Sequence, residues 1–378
     1  MTIKVAFTGL GIQAARLRDA IDLNLAKVLD HGQFIMGPEV TQFESKLQEF
    51  CGAKHAICVA NGTDALQIAL MANGIGYGDA VFVPSFTYTA TAEVILVLGA
   101  VPVFVDVCSD SFNIDPEDLE NKIAEARAKN MKPAAIIAVD LFGLPADWDA
   151  LNAVAKRENL VLIADAAQSF GAKSASGQKV GTFAPITTTS FFPAKPLGCY
   201  GDGGAIFTDD DDLAAVMRSI RVHGQGTAKY QTVRVGMNSR LDTLQAAILL
   251  AKIDIFEEEI ANRNALAEAY EARLSARVST PVRPNGVVSA WAQYTIRVEN
   301  RTTVQKALAE AGVPTAVYYP LPMHLQPAYE AFGSGAGSLP ISERASMEVL
   351  SLPMNPYATK AEADYIIESV HSALLAAA

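Results

Sequence analysis

Two residues of this 378-residue chain invite a chemical reading before any others, Lys195 and Asp165. Lys195 ends the stretch Ser190-Phe191-Phe192-Pro193-Ala194-Lys195, where a β-prone run passes into a Pro-flanked loop that presents a single amine. Thirty residues upstream the apolar run Leu160–Ala164 ends in Asp165-Ala166-Ala167-Gln168. An amine and a carboxylate on neighbouring strand ends can hold pyridoxal phosphate. The lysine then forms the Schiff base, and the aspartate pairs with the pyridinium nitrogen and strengthens the electron sink. A surface lysine and a strand-end turn are the ordinary alternative, so the surrounding residues decide.

Asn61-Gly62-Thr63-Asp64 directly precedes a helical pattern beginning Ala65-Leu66-Gln67. Glycine permits close backbone approach, Thr63 can cap, and free amides at a helix start bind a phosphate. Ser85-Phe86-Thr87-Tyr88 follows another strand candidate and offers Tyr88 as a ring to stack on a flat heterocycle. Gln168 can donate to a ring oxygen, and Ser190 adds a hydroxyl for the phosphate. Each has a bland reading alone; together they supply what a pyridoxal phosphate site needs.

These residues need a frame. Between about 55 and 210, apolar strands alternate with helices. The strand candidates are Ala56–Ala60, Ala80–Pro84, Val101–Val107, Ala134–Val139, Leu160–Ala164, Thr187–Phe192 and Gly204–Phe207. Helices are expected at Asp64–Ala72, Ala90–Leu98, Pro116–Ala128 and Ala146–Arg157. Unbroken Val/Ile/Leu runs suit strands buried on both faces, hence a mainly parallel sheet in a three-layer α/β domain. Ligands of such sheets lie at the carboxyl ends of the strands, where Asp165 and the Ser190–Lys195 loop fall. Beyond Gly236 the pattern changes to a long helical region, Leu241–Ala276, with Glu257, Glu258 and Glu259 on a solvated face. A strand at Trp291–Val298 and helices at Thr303–Ala311 and Lys360–Leu375 complete a smaller α+β domain. An N-terminal helix, Ala14–Leu29, is expected to pack with it.

Half of the residues are hydrophobic and 19% are charged, which suits a folded enzyme with a large core. A formal net charge of −11 argues against nucleic acid as a partner, because phosphate binding needs a basic surface. The four cysteines show no CxxC-type spacing, so no zinc site or disulfide framework is indicated. No stretch reads as a secretory leader or a membrane span, so the cytoplasm is the expected location. One decoy is Ile3–Phe7 followed by Gly9-Leu10-Gly11-Ile12-Gln13-Ala14, a strand–GxGxxA pattern for dinucleotides, but no second strand leads into Asp30. Cys199, four residues after Lys195, raises a cysteine-based lyase but has no evident histidine partner. Arg240, in Asn238-Ser239-Arg240, can grip a carboxylate with two hydrogen bonds or simply begin a helix. Tyr318, Tyr319 and His324 form a polar-aromatic patch that faces substrate or makes a turn.

As a set, these motifs resemble the DegT/StrS-type nucleotide-sugar aminotransferases, fold-type I pyridoxal phosphate enzymes. The likeness runs from Gly32-Gln33-Phe34-Ile35-Met36-Gly37-Pro38 through the motifs above to Ser351-Leu352-Pro353-Met354. It implies an N-terminal segment and helix over 1–30 packing on the small domain. It further implies a large seven-stranded cofactor domain over 31–250, a small domain over 251–378, and a homodimer with shared sites. By resemblance, Lys195 is the Schiff-base lysine and proton carrier, Asp165 pairs with the pyridine nitrogen, Gln168 faces the ring hydroxyl and Tyr88 stacks. Gly62, Thr63, Asp64 by its amide, and Ser190 hold the phosphate, with Asn238 reaching the neighbouring subunit's cofactor. Arg240, Tyr318, Tyr319 and His324 are the implied substrate residues, and Tyr318 stands where relatives often carry histidine.

The subgroup nearest Ser190–Asp202 and Met237–Asp242 aminates C3 of a UDP-2-acetamido-3-keto-glucuronate with L-glutamate, for O-antigen sugars. Amination at C3 or C4 of another UDP- or dTDP-keto sugar is the alternative. Lower expectations are a dehydratase of the same fold, which commonly carries histidine in place of the lysine, and a non-catalytic regulator.

Overall fold

The computed structural model describes residues 5–228 and 230–377. Its main sheet contains β1 (His55–Val59), β2 (Asp79–Pro84), β3 (Val101–Val105), β4 (Lys132–Val139), β5 (Val161–Asp165), β6 (Ile186–Ser190) and β7 (Gly204–Thr208). The spatial order is β1-β7-β6-β5-β4-β2-β3. All neighbours run parallel except β7, which is antiparallel to both β1 and β6.

Alternate residues along each strand serve opposite cores. Phe82, Ile136, Leu162 and Phe207 join one cluster with helices Pro38–Cys51, Pro116–Ala128, Trp148–Glu158 and Thr243–Ile253. Val81, Ile137, Ile163 and Ile206 join the other, under helices Gly62–Ala72, Ala90–Val97 and Asp211–Arg221. The period-2 geometry of a strand sends neighbours to opposite faces, so both faces bury apolar residues and the runs read as continuous.

β8 (Tyr294–Arg297) and β9 (Val349–Leu352) form a separate antiparallel pair. They share a third core with helices Phe256–Leu274, Arg301–Glu310 and Lys360–Ala377. No described helix is long and apolar enough to cross a membrane.

Four expectations change. The Leu241–Ala276 region is two helices, Thr243–Ile253 and Phe256–Leu274, separated at Asp254 and Ile255 without a glycine or proline. Glu257 and Glu258 are exposed, but Glu259 is fully buried and accepts from Gln13 Nε2 at 2.8 and 3.0 Å. The N-terminal helix is also double, Leu10–Arg16 then Arg18–His31. Its Leu17 and Ile21 pack on Ile248 and Ala251 of helix Thr243–Ile253, not on the small sheet. The first of the two helices and the segment before it do reach the small domain: Gln13 and Arg16 bond Glu259 and Glu258 of helix Phe256–Leu274, and Met354 N–H donates to Phe7 O at 3.0 Å.

The dinucleotide pattern also dissolves. Ile3 and Lys4 lie outside the described residues, Val5 to Phe7 form no strand, and Gly9 (φ 73°) sits against Asn355.

Candidate active site

The strand ends of β1, β5 and β6 converge on one cavity of about 490 Å³. Among its lining residues are Gly62, Thr63, Tyr88, Asp165, Gln168, Ser190, Lys195, Tyr318 and Tyr319, drawn from both domains.

At one end β1 turns into helix Gly62–Ala72. Asn61 is extended (φ −167°), and its Oδ1 accepts from Asp64 N–H at 2.7 Å, so Asn61 caps this helix and Thr63 does not. Packing explains Gly62: a Cβ there would lie 2.7 Å from the Ser190 Cβ. Gly204 is similarly constrained, since its Cβ would lie 2.6 Å from the Asn61 carbonyl carbon. Helix start and β6 end are thereby pressed together, leaving the amides of the first turn and the Ser190 hydroxyl beside the cavity. That arrangement can cradle an anion. Asp64 itself does not line the cavity, and its N–H is already held by Asn61.

In the middle, Asp165 is buried at the end of β5. Its Oδ2 accepts from Thr91 Oγ1 at 3.0 Å, and its Oδ1 from Ala167 N–H at 3.1 Å. Burial pushes this carboxyl upward, against the opposing pull of those two donors and of Lys195. Lys195 is held by its own N–H, which donates to Phe192 O at 2.9 Å. As a residue it is partly exposed, but its amine is enclosed, and burial lowers its pKa against the pull of Asp165. Lowering favours the neutral amine, the form that acts as nucleophile and base.

Gln168 has a fixed amide polarity. Its Oε1 accepts from Phe142 N–H at 2.7 Å, and its Nε2 donates to the Tyr319 hydroxyl at 3.1 Å. Tyr319 in turn lies 6.3 Å from the ring of Tyr88, which is half exposed at the mouth. Burial raises the Tyr319 hydroxyl well above its ordinary range.

Besides Asp64, three more expected site residues are elsewhere. His324 is buried, with Nδ1 2.6 Å from Ser85 Oγ and Nε2 3.2 Å from Glu343, so both ring nitrogens are engaged and it does not line the cavity. Asn238 is exposed and Arg240 half-buried, and neither lines this cavity. The Arg240 Nε is buried with no hydrogen-bond partner among the described residues.

Conversely, Asn61, Thr91, Asp202 and Gln293 belong to the site or its support and were not singled out from sequence. Only Asn61 carried a signal, as an Asn before Gly at a helix start. Cys199 is buried with its thiol pushed up to about 11, which removes it as a nucleophile.

An anion cradle, a buried carboxylate and a depressed amine lining one cavity in a parallel-sheet frame fit pyridoxal phosphate. The protein is a pyridoxal phosphate-dependent aminotransferase of the α/β type. The DegT/DnrJ/EryC1/StrS aminotransferase family model matches residues 16–371, and the chain belongs to that family.

Among curated relatives, UDP-2-acetamido-2-deoxy-3-oxo-D-glucuronate aminotransferase of Pseudomonas aeruginosa is 51% identical, over 93% of this chain and 96% of that one. A family aminotransferase structure from Brucella abortus superposes with a TM-score of 0.95. It shares 49% identity, covering 97% of this chain and 99% of that one. The NtdA structure from Bacillus subtilis, with its cofactor PMP bound, superposes with a TM-score of 0.90 at 31% identity, covering 99% of this chain and 86% of that one.

Proposed function

We propose that this chain moves the amino group of L-glutamate onto C3 of UDP-2-acetamido-2-deoxy-3-oxo-D-glucuronate, for lipopolysaccharide O-antigen synthesis in the cytoplasm. The observation that carries the transamination is the enclosed Lys195 amine in one cavity with buried Asp165. The sugar is supported by the 51% identity to the Pseudomonas relative.

When bound, pyridoxal phosphate supplies the electron sink that makes the C–H bond beside the transferred nitrogen acidic. The first turn of helix Gly62–Ala72 and Ser190 would hold the phosphate, Asp165 would pair with the pyridine nitrogen, and Gln168 Nε2 would donate to the ring oxygen. Lys195 takes the proton from glutamate's Cα and, in the second half, returns one to C3 of the sugar. Its neutral form is required for both, which burial favours.

The working unit is a homodimer. Asn238 and Arg240 flank buried Ser239, whose N–H donates to Arg221 O at 3.0 Å and whose Oγ accepts from Ala60 N–H at 3.2 Å. Asn238 is exposed at this surface, whereas Arg240 is half-buried with its Nε enclosed. Val233 and Val235 on the same segment are 51% and 83% exposed, and a second subunit would cover them.

The reading is tested with pyridoxal phosphate-loaded protein. Glutamate should discharge its yellow colour, and the UDP-linked 3-keto sugar should restore it while the amino sugar forms. Lys195→Ala should show no turnover. Restoration only by dTDP-linked or 4-keto sugars would replace the substrate, and turnover by Lys195→Ala would remove the mechanism.

A further inference from the structure

Lys252 is fully buried near the end of helix Thr243–Ile253, and nothing in the chemistry above uses it. Among the described residues it forms no ion pair with a carboxylate. Its contacts are a carbonyl and an aromatic face: Nζ donates to Gly198 O at 2.6 Å and lies 4.1 Å from the centre of the Tyr200 ring. Burial lowers its pKa to about 8, against the pull of Cys199 and Glu259. Enclosing an ammonium that no carboxylate neutralises is costly, and an apolar side chain would fill the same space without that cost.

Both contacts fall on the loop between β6 and β7 that carries Lys195. The loop is closed at its base, where Phe191 N–H donates to Gly203 O at 2.7 Å and Cys199 N–H donates to Phe191 O at 2.8 Å. Gly198 lies directly on the segment ahead of Lys195: a Cβ there would come 2.5 Å from Pro193 O and 2.6 Å from Phe192 O. Phe192 O is the acceptor that holds Lys195 N–H. A second side chain of the same helix, Gln245, accepts from Tyr200 N–H at 2.9 Å. Lys252 therefore grips the turn on which the Lys195 backbone rests.

We propose that Lys252 is a positioning residue for Lys195: its ammonium anchors Gly198 and Tyr200 and so fixes the backbone from which the Lys195 amine reaches the cavity. This rests on Lys195 being the lysine that binds the cofactor. An apolar side chain would offer neither a donor for Gly198 O nor a cation for the Tyr200 ring. Small displacements of a reacting group are expensive in rate, which gives a buried anchor its value.

The test compares Lys252→Met and Lys252→Arg with the wild type. Methionine keeps the length without the charge or the N–H donors, and arginine keeps both. Thermal unfolding of the cofactor-free protein should give Lys252→Met a Tm within about 4 °C of the wild type, since removing a buried unpaired charge offsets the lost hydrogen bond. A larger fall, repeated in Lys252→Gln, would make Lys252 a stability residue and overturn the proposal. Pyridoxal phosphate is then added to cofactor-free protein, where the Lys195 amine condenses with its aldehyde and releases water. Samples are quenched over time with borohydride, which reduces the new C=N bond, and the labelled peptide is identified by its mass. Attachment at Lys195 should be about tenfold slower in Lys252→Met, whereas the Kd for pyridoxamine phosphate, which needs no bond to Lys195, should stay within about twofold. Lys252→Arg should recover attachment to within about threefold of the wild type. An unchanged rate in Lys252→Met, an equal loss in Lys252→Arg, or a parallel weakening of pyridoxamine phosphate binding would each overturn the proposal. Label on another lysine of the wild type would remove the reading of Lys195 first and this proposal with it. Label on Lys195 at equal rates in all three proteins removes only this proposal.

Discussion

The chemistry of single residues here is set by burial more than by neighbours. Asp165 and Lys195 face each other's charge, yet burial is the larger influence on both and drives each toward its neutral form. Asp140 shows the same physics without a direct catalytic role. It is fully buried one residue past β4, where Oδ1 takes Ala146 N–H at 2.8 Å and Trp148 Nε1–H at 3.0 Å. Its Oδ2 lies 2.6 Å from Ser169 Oγ. Burial, the largest influence, raises its pKa to about 7 from 3.8. The folded state then binds more protons than the unfolded state between about pH 4 and 7, so the contribution of Asp140 to stability falls as pH rises through that window. Asp140→Asn should flatten the decline, as measured by thermal unfolding at intervals from pH 4 to 8. An unchanged slope would assign the titration to other groups.

Secondary-structure elements do the positioning, and their ends matter more than their lengths. Asn61 satisfies one of the free N–H groups of helix Gly62–Ala72 and fixes the direction from which that helix meets the cavity. Asn61→Ala should cost about 1 kcal/mol in denaturant unfolding and should also weaken phosphate-dependent cofactor retention. Loss of stability with unchanged retention would separate the cap from the cradle. The element ends are also where sequence was readable. All seven main-sheet strands lie within two residues of their expected starts and ends, because runs buried on both faces have little competing periodicity. Helices that carried no glycine or proline at their breaks, Leu10–His31 and Thr243–Leu274, were not divisible from sequence.

At the scale of the molecule, the site is assembled from both domains and, we propose, from two chains. Tyr318, Tyr319 and Gln293 come from beyond the main sheet, whereas Asn238 and Arg240 do not line the cavity of their own chain. Mixing experiments address this. Lys195→Ala and Arg240→Ala, each inactive as a homodimer, should recover about a quarter of wild-type activity after subunit exchange at equal amounts, since half of the dimers then carry one intact site. No recovery under conditions that exchange subunits would place each site within one chain.

Local order in the chain was enough to determine the sheet, its carboxyl-end cavity and the Lys195–Asp165 pair. Each of these follows from a strand, a turn and a residue adjacent in sequence. Tertiary structure decided what depends on contacts between distant segments: Thr91 against Asp165, Gln293 against Phe142, and the burial of Glu259 by Gln13. It also withdrew His324 from the cavity, because Ser85 and Glu343 hold both nitrogens from segments 239 and 19 residues away. A polar residue's role depends on which partner reaches it first, and periodicity carries no information about that.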